Sequence, residues 1–180
     1  MDHHVELLVS ASEELKADYP VDISQWEGSP FEWIISRPAQ QRGKIGEQLV
    51  SHWCRAMGFR VERSPDQEAD RIVEGRRTEI KFPTRWKSGK YTFQQLRDQD
   101  YEIVICLGLS PFDAHCWVLT KDTVMKKWRA EDGVRTQHGG RAGSDTAWFE
   151  VDPLNAPTWL RSRGGSLSAA FKVLQRLVKS

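Results

Sequence analysis

Apolar residues recur along this chain with two periods, and the switches between them outline its elements. Residues 4–17 carry Val5, Leu7, Leu8 and Leu15 as the apolar points of a helix. "SPFE" (29–32) has the form of a capping box, with Ser29 as N-cap, Pro30 at the first helical position and Glu32 at the third; a short helix to Ser36 is expected. In 38–58, Ile45, Leu49, Trp53 and Met57 recur every four residues, which predicts a longer helix stopped by Gly58. A short strand follows at 59–63, then two strand-like runs around Glu74-Gly75 that form a hairpin over 70–82. Residues 92–99 are expected to form a short helix. The nearly all-apolar 101–110 predicts a strand buried on both faces. A strand at 114–121, a helix at 121–130, a glycine-rich irregular stretch at 131–145 and a strand at 146–152 come next. The last element, 166–180, is an amphipathic helix with Leu167, Ala170, Phe171, Leu174, Leu177 and Val178 on one face. This order implies an α/β (α+β) fold with a central mixed β-sheet flanked by helices. No internal repeat or interior linker divides the chain. One domain over 1–180 is expected, with an N-terminal helical segment (1–37), a core (38–121) and a C-terminal extension ending in a basic helix (122–180).

Composition narrows the setting more than the function. Hydrophobic residues make up 39% and charged residues 28% of the 180, a soluble globular balance. No apolar run approaches the roughly 20 residues of a membrane span. The start "MDHHVELL" lacks the basic and apolar pattern of a secretory signal. Cys54, Cys106 and Cys116 are odd in number and without CxxC spacing, which fits buried thiols in a reduced, cytoplasmic compartment. The net charge of +1 neither advertises nor excludes a nucleic-acid partner. Its distribution says more. Between Arg76 and Lys90 the chain holds Arg76, Arg77, Lys81, Arg85, Lys87 and Lys90 against the single acid Glu79, with Trp86 and Tyr91 nearby, a pattern suited to contacting phosphates. The cations after Asp152 fit a solvated face instead.

The hairpin carries the chemistry. Glu79 and Lys81, two apart on a strand, leave from one face, while Ile80 and Phe82 point to the other. Asp70 lies across the Glu74-Gly75 turn. Two carboxylates brought together repel unless a cation joins them. A hard divalent ion such as Mg²⁺ suits oxygen ligands, and the backbone carbonyl of Ile80 adds a third. Such a metal lowers the pKa of a bound water and neutralises a phosphate, while Lys81 holds a water or a developing negative charge. An isolated Glu-x-Lys is more often a surface ion pair, so the surrounding residues decide its weight.

Those residues resemble the PD-(D/E)XK, or restriction-endonuclease-like, nuclease superfamily. Its signature is an acid on one strand, (D/E)-x-K on the next and a preceding helix with a glutamate; here Asp70, Glu79-Ile80-Lys81 and Glu47 in "GKIGEQLV" stand in those places. The resemblance spans residues 43–109, including "FQQLRDQDYEIVICLGLS", which is similar to the glutamine-bearing helix and buried strand of many bacterial members. It implies a restriction-endonuclease-like core and a Mg²⁺-dependent DNA endonuclease, with Mn²⁺ able to substitute. Metal ligands would be Asp70, Glu79, Ile80 and Glu47. Lys81 would orient the nucleophile, and Gln95, ahead of Leu96-Arg97, would reach the lysine or the scissile phosphate. The pattern departs in one respect: the letters "PD" fall at Pro65-Asp66, ahead of the hairpin. Asp70 is preferred over Asp66, and Glu68 is a weaker third candidate. Gly43 and Gly46 lie in one stripe with Glu47, and each costs a helix about 1 kcal/mol against alanine, which predicts a close approach of this helix to the sheet.

Expected partners are double-stranded DNA, contacted by Arg85, Lys87, Lys90, His138 and Arg141, and a second copy of the chain, since cutting both strands commonly takes two active sites. His138 lacks any His or Cys at metal-site spacing and is assigned to DNA. Trp148 and Trp159 could stack on bases or fill the core. A restriction or defence role is expected. The alternatives are a repair or recombination nuclease of the same fold, and a DNA-binding module without chemistry.

Overall fold

The computed structural model describes residues 3–18, 24–85, 87–140 and 145–179. Its elements run α1 (His3–Asp18), α2 (Glu32–Ile35), α3 (Ala39–Ala56), β1 (Val61–Arg63), β2 (Arg71–Val73), β3 (Arg76–Lys81), β4 (Tyr91–Leu96), β5 (Ile103–Ser110), β6 (Asp113–Thr120), α4 (Lys121–Arg129), β7 (Arg135–Thr136), β8 (Ala147–Val151), α5 (Thr158–Arg161), β9 (Gly164–Ser166) and α6 (Leu167–Lys179). The fold is mixed α and β. A central six-stranded sheet has the order β1-β2-β3-β5-β6-β9, parallel only between β3 and β5, and a separate three-stranded sheet has the order β4-β8-β7.

Strand alternation divides the core in two. On β5 and β6, Ile103, Ile105, Leu107, Cys116 and Val118 pack with Val50 and Cys54 of α3 and Ala170, Val173 and Leu174 of α6. The alternate residues Val104, Cys106, Trp117 and Leu119 pack with Tyr91, Phe93 and Phe149 of the small sheet and with Val124 of α4 and Leu160 of α5. All eight residues of β5 are buried, as its unbroken apolar run predicts. The three cysteines are free and buried, and burial pushes the Cys54 thiol up to about 12.

Several expectations change. Residues 92–99 do not form a helix: Tyr91–Leu96 is a strand paired antiparallel with β8. Its Gln, Leu and Arg residues favour helix locally, but Tyr91 and Phe93 gain full burial only in an extended chain. On α3 the deepest residues are Gly46, Val50, Ser51 and Cys54; Ile45, Leu49 and Trp53 lie beside them, and Met57 is exposed. The capping box does not form as expected: α2 starts at Glu32 with Phe31 as its N-cap and no side-chain cap, and the two side chains bond one residue before the box partners. Ser29 Oγ accepts the N–H of Phe31, and Glu32 Oε2 accepts that of Gly28. Helix α1 is present, but Val5, Leu7, Leu8 and Leu15 are exposed. Residues 122–180 are woven into the core through β8, β9 and α6. Strand β9 pairs with β6 at two glycines, where a Cβ on Gly164 would lie 2.2 Å from the Cys116 carbonyl oxygen. Among the described residues no helix is long and apolar enough to cross a membrane.

Gly46 and Gly43 differ despite sharing a stripe. A Cβ on Gly46 would sit 2.1–2.7 Å from the Phe82 side chain, whereas one on Gly43 meets nothing within 4 Å. The close approach expected of both is therefore made by Gly46, and against a side chain. Gly46→Ala is expected to destabilise the fold by about 1–3 kcal/mol through overpacking. Gly43→Ala should stabilise by up to about 1 kcal/mol through helix propensity. Denaturant unfolding of the two variants checks both signs.

Candidate active site at the divergence of β2 and β3

The β2–β3 hairpin turns at Glu74-Gly75, where both residues take positive φ (49° and 81°), as a tight hairpin requires. Its ladder closes with Arg71 opposite Thr78. Beyond that pair β2 leaves β3, and Asp70 covers the exposed edge. Its backbone N–H donates to the Thr78 carbonyl, and its Oδ2 accepts the N–H of Ile80 at 2.7 Å. A carboxylate that replaces a ladder partner is thereby fixed beside β3.

Glu79 and Lys81 share one face of β3. In the parallel register they stand opposite Val104 and Cys106, whose side chains face the small sheet; Ile80 packs on the α3 side. Lys81 Nζ lies 2.7 Å from Glu79 Oε1, and Glu79 is only 7% exposed. Burial raises the Glu79 carboxyl above the ordinary glutamate range. Lys81 opposes that shift, and the Asp70 carboxylate, through charge and a shared hydrogen bond, adds to it.

Glu47 reaches the same place from α3. Its carboxyl is also raised, first by burial and then by Asp70, while Arg71 opposes the shift. Arg71 ties this corner together. Its Nη1 lies 3.2 Å from Glu47 Oε2 and donates to the Asp70 carbonyl at 2.6 Å, and its Nε donates to Ser51 Oγ at 3.1 Å. Sequence reasoning missed Arg71; a cation adjoining the acid in "ADRIV" is the available signal.

These groups line one cleft of about 450 Å³, together with Ala39, Arg42, Gly43, Phe82, Thr84, Thr92, Gln94 and Gln95. Asp70, Glu79, Lys81, Glu47, the Ile80 backbone and Gln95 are thus brought together. Gln95 arrives from a strand and not from the expected helix. Asp66 is elsewhere: its carboxylate is held by Arg77, which keeps it below the usual range, and it does not line the cleft. Glu68 does not line it either; its Oε2 accepts the N–H of Asp100.

A second, wider groove of about 890 Å³ adjoins the first and shares Arg42, Thr84, Thr92 and Gln94 with it. After β3 the chain stays bonded to Leu109 through Pro83 and Arg85, which carries Arg85 and then Lys87 into this groove. Lys90 stands at its edge, with Nζ 3.7 Å from Glu150 Oε2. Arg42 is a further cation that the sequence reading missed. With Ala39, Gly43 and Glu47 it forms one helical stripe along the cleft, so its spacing from Glu47 could have revealed it. His138 is exposed, 3.5 Å from Asp145, and lines neither cavity. Arg141 and Trp86 lie outside the described residues.

The side chains fit a small divalent cation through two carboxylates. Asp70, partly exposed, and Glu79, buried, are held together, and the Asp70 charge disfavours an ionised Glu79; Mg²⁺ takes such a pair with waters and phosphate oxygens. Among the described residues no group of three or more His, Cys, Asp or Glu side chains is arranged to hold a metal, and Glu47 is engaged by Arg71.

No protein-family model matches the chain, and no curated protein matches it. Among solved structures it is similar to a bacterial homing endonuclease, I-Ssp6803I, at 13% sequence identity; the match covers 79% of this chain and 96% of that one, with a TM-score of 0.48. At that level of likeness the chemistry rests on the side chains themselves.

Proposed function

We propose that the chain is a Mg²⁺-dependent DNA endonuclease of the PD-(D/E)XK type, acting in restriction or defence. The observation that carries this reading is the single cleft in which Asp70, Glu79 and Lys81 meet at the end of the β2–β3 ladder, beside a groove bearing Arg42, Arg85 and Lys87. Asp70 and Glu79 hold the metal, with the Ile80 carbonyl and Glu47 within the same cleft. When bound, the metal supplies an acidified water and neutralises charge on the phosphate. Lys81, half-buried against Glu79, orients the attacking water and offsets negative charge that develops on the phosphate oxygens. Gln95 orients the phosphate from across the cleft. Arg71 acts through Glu47 and Asp70 as a positioning residue. The substrate is double-stranded DNA.

Incubation of supercoiled plasmid with Mg²⁺ tests this reading. Nicked or linear product should form, and excess EDTA should prevent it. DNA retained without any cut would favour the module that binds without chemistry. Sequencing of the cut ends would then separate restriction from repair, because a repair enzyme follows lesions or strand ends and not a site.

The groove cations should make binding depend on salt. Each phosphate contact contributes about 0.9 to the slope of log affinity against log salt on duplex DNA. Replacing Arg85, Lys87 and Lys90 by alanine in a Lys81→Ala background should weaken binding to every sequence and lower the slope by about 2–3. An unchanged slope in a fluorescence-anisotropy titration would make this cluster a solvated face.

A further inference from the structure

The three-stranded sheet presents a polar outer face that reaches the hydrolytic cleft only at its β4 end, through Thr92, Gln94 and Gln95. Its inner residues Tyr91, Phe93, Leu96, Ala147, Phe149 and Val151 are buried. Regular alternation would turn either Gln94 or Gln95 inward, but a β-bulge intervenes. Phe93 is opposite Phe149 and Leu96 is opposite Ala147, so two glutamines face the one residue Trp148. Gln95 takes φ 57°, and both glutamines are exposed. The bulge is tied from β7's side: Gln137 Oε1 accepts the N–H of Gln95 at 3.3 Å and the Thr146 hydroxyl at 2.7 Å. On the neighbouring strands Arg135 stands opposite Trp148, with its guanidinium 5.7 Å from the indole centroid, and Thr92 stands opposite Glu150.

We propose that this face is the base-reading surface, and that it enters the major groove of duplex DNA beside the scissile phosphate. The location of the DNA rests on the nuclease reading above; the reading of bases rests on the face itself. Two features point to bases and away from phosphates. The face is built from carboxamides, a hydroxyl, an indole, a carboxylate and the Arg135 guanidinium, while the cations Arg42, Arg85 and Lys87 come from α3 and the segment after β3 and line the same groove as Thr92, Gln94, Trp148 and Glu150. Glu150 is exposed, 3.7 Å from Lys90 Nζ; a carboxylate is repelled by a bare phosphate but accepts the exocyclic amine of cytosine, a glutamine pairs with both edge groups of adenine, and an arginine pairs with guanine. Most of the face lies on the adjacent pair β4 and β8, about 4.8 Å apart, and a major groove about 12 Å wide admits a two-stranded ribbon; the third strand adds only the short Arg135–Thr136 segment at its side. Gln94 lines both the cleft and the groove, so the face runs into the hydrolytic site without a break.

The test is end-sequencing of a random duplex library cut with Mg²⁺ by the wild type and by Gln94→Ala, Arg135→Ala and Lys87→Ala. A parallel arm selects duplexes bound by Lys81→Ala, with and without Gln94→Ala, in the absence of metal. The wild type should show base preferences flanking the cut. Gln94→Ala and Arg135→Ala should each flatten preference at one position by about tenfold, while Lys87→Ala should lower capture of all sequences and leave the profile intact. A wild type without preference, or a profile unchanged in both Gln94→Ala and Arg135→Ala, overturns the proposal while leaving the nuclease reading standing. Absence of cutting, with a bound-sequence profile that Gln94→Ala still flattens, overturns the nuclease reading and supports the base-reading face.

Discussion

Cleavage is expected to fall by at least about 10²–10³ in Lys81→Ala and in Glu79→Gln, the range seen when one preorganised group facing developing charge is removed. The two side chains form one unit, 2.7 Å apart on the same face of β3, with Glu79 almost fully buried. Removing Lys81 leaves a buried carboxylate without its cation, which raises the Glu79 carboxyl further and favours the protonated form. Glutamine at 79 keeps the shape but removes the charge that draws the metal. Initial rates on plasmid DNA read the loss, and thermal unfolding checks that the variants remain folded. Near-wild-type cutting by either one would remove this pair from the reaction. The same assay has a pH signature. Glu79 holds its proton to higher pH than an ordinary glutamate, because burial and Asp70 both disfavour the charged form. Only the deprotonated form holds a cation well, so cutting should decline with falling pH above the usual glutamate range, and added Mg²⁺ should shift that decline downward.

Asp70→Asn should abolish metal-dependent cutting, whereas Asp66→Asn should leave it within about threefold of wild type, as expected for a surface change away from the reacting groups. The asparagine at 70 can still accept the Ile80 N–H, so the strand edge stays covered and only the charge beside Glu79 is lost. Asp66 is exposed and paired with Arg77 outside the cleft, so its replacement costs little beyond a surface ion pair. Calorimetric titration with Mg²⁺ on both variants checks the same point without DNA. Loss of binding in Asp66→Asn, with Asp70→Asn intact, would move the metal to the "PD" dipeptide.

The arrangement of the hairpin was legible because it depends on local rules. Alternation with period two sends Glu79 and Lys81 to one face and Ile80 to the other, and a Glu-Gly turn with positive φ brings Asp70 across from them. The same locality made the long helix α3, the buried strand β5 and the amphipathic α6 readable. That Asp70 lines the cleft and Asp66 does not also follows from the position of each acid relative to the strand.

What tertiary structure decided involves partners distant in sequence. Residues 92–96 have the composition of a helix, and only pairing with β8, more than fifty residues later, makes them a strand. The bulge that turns both Gln94 and Gln95 outward exists only in that pairing. Arg71 becomes a tie between Glu47 and Asp70 once α3 lies along the sheet, and Arg42 becomes a groove cation for the same reason. Hydrophobic period and turn chemistry act over a few residues and so can be read directly from the order of amino acids. The meeting of α3, β3 and β4 around one cleft is set by which apolar faces bury each other, and that is a property of the packed chain.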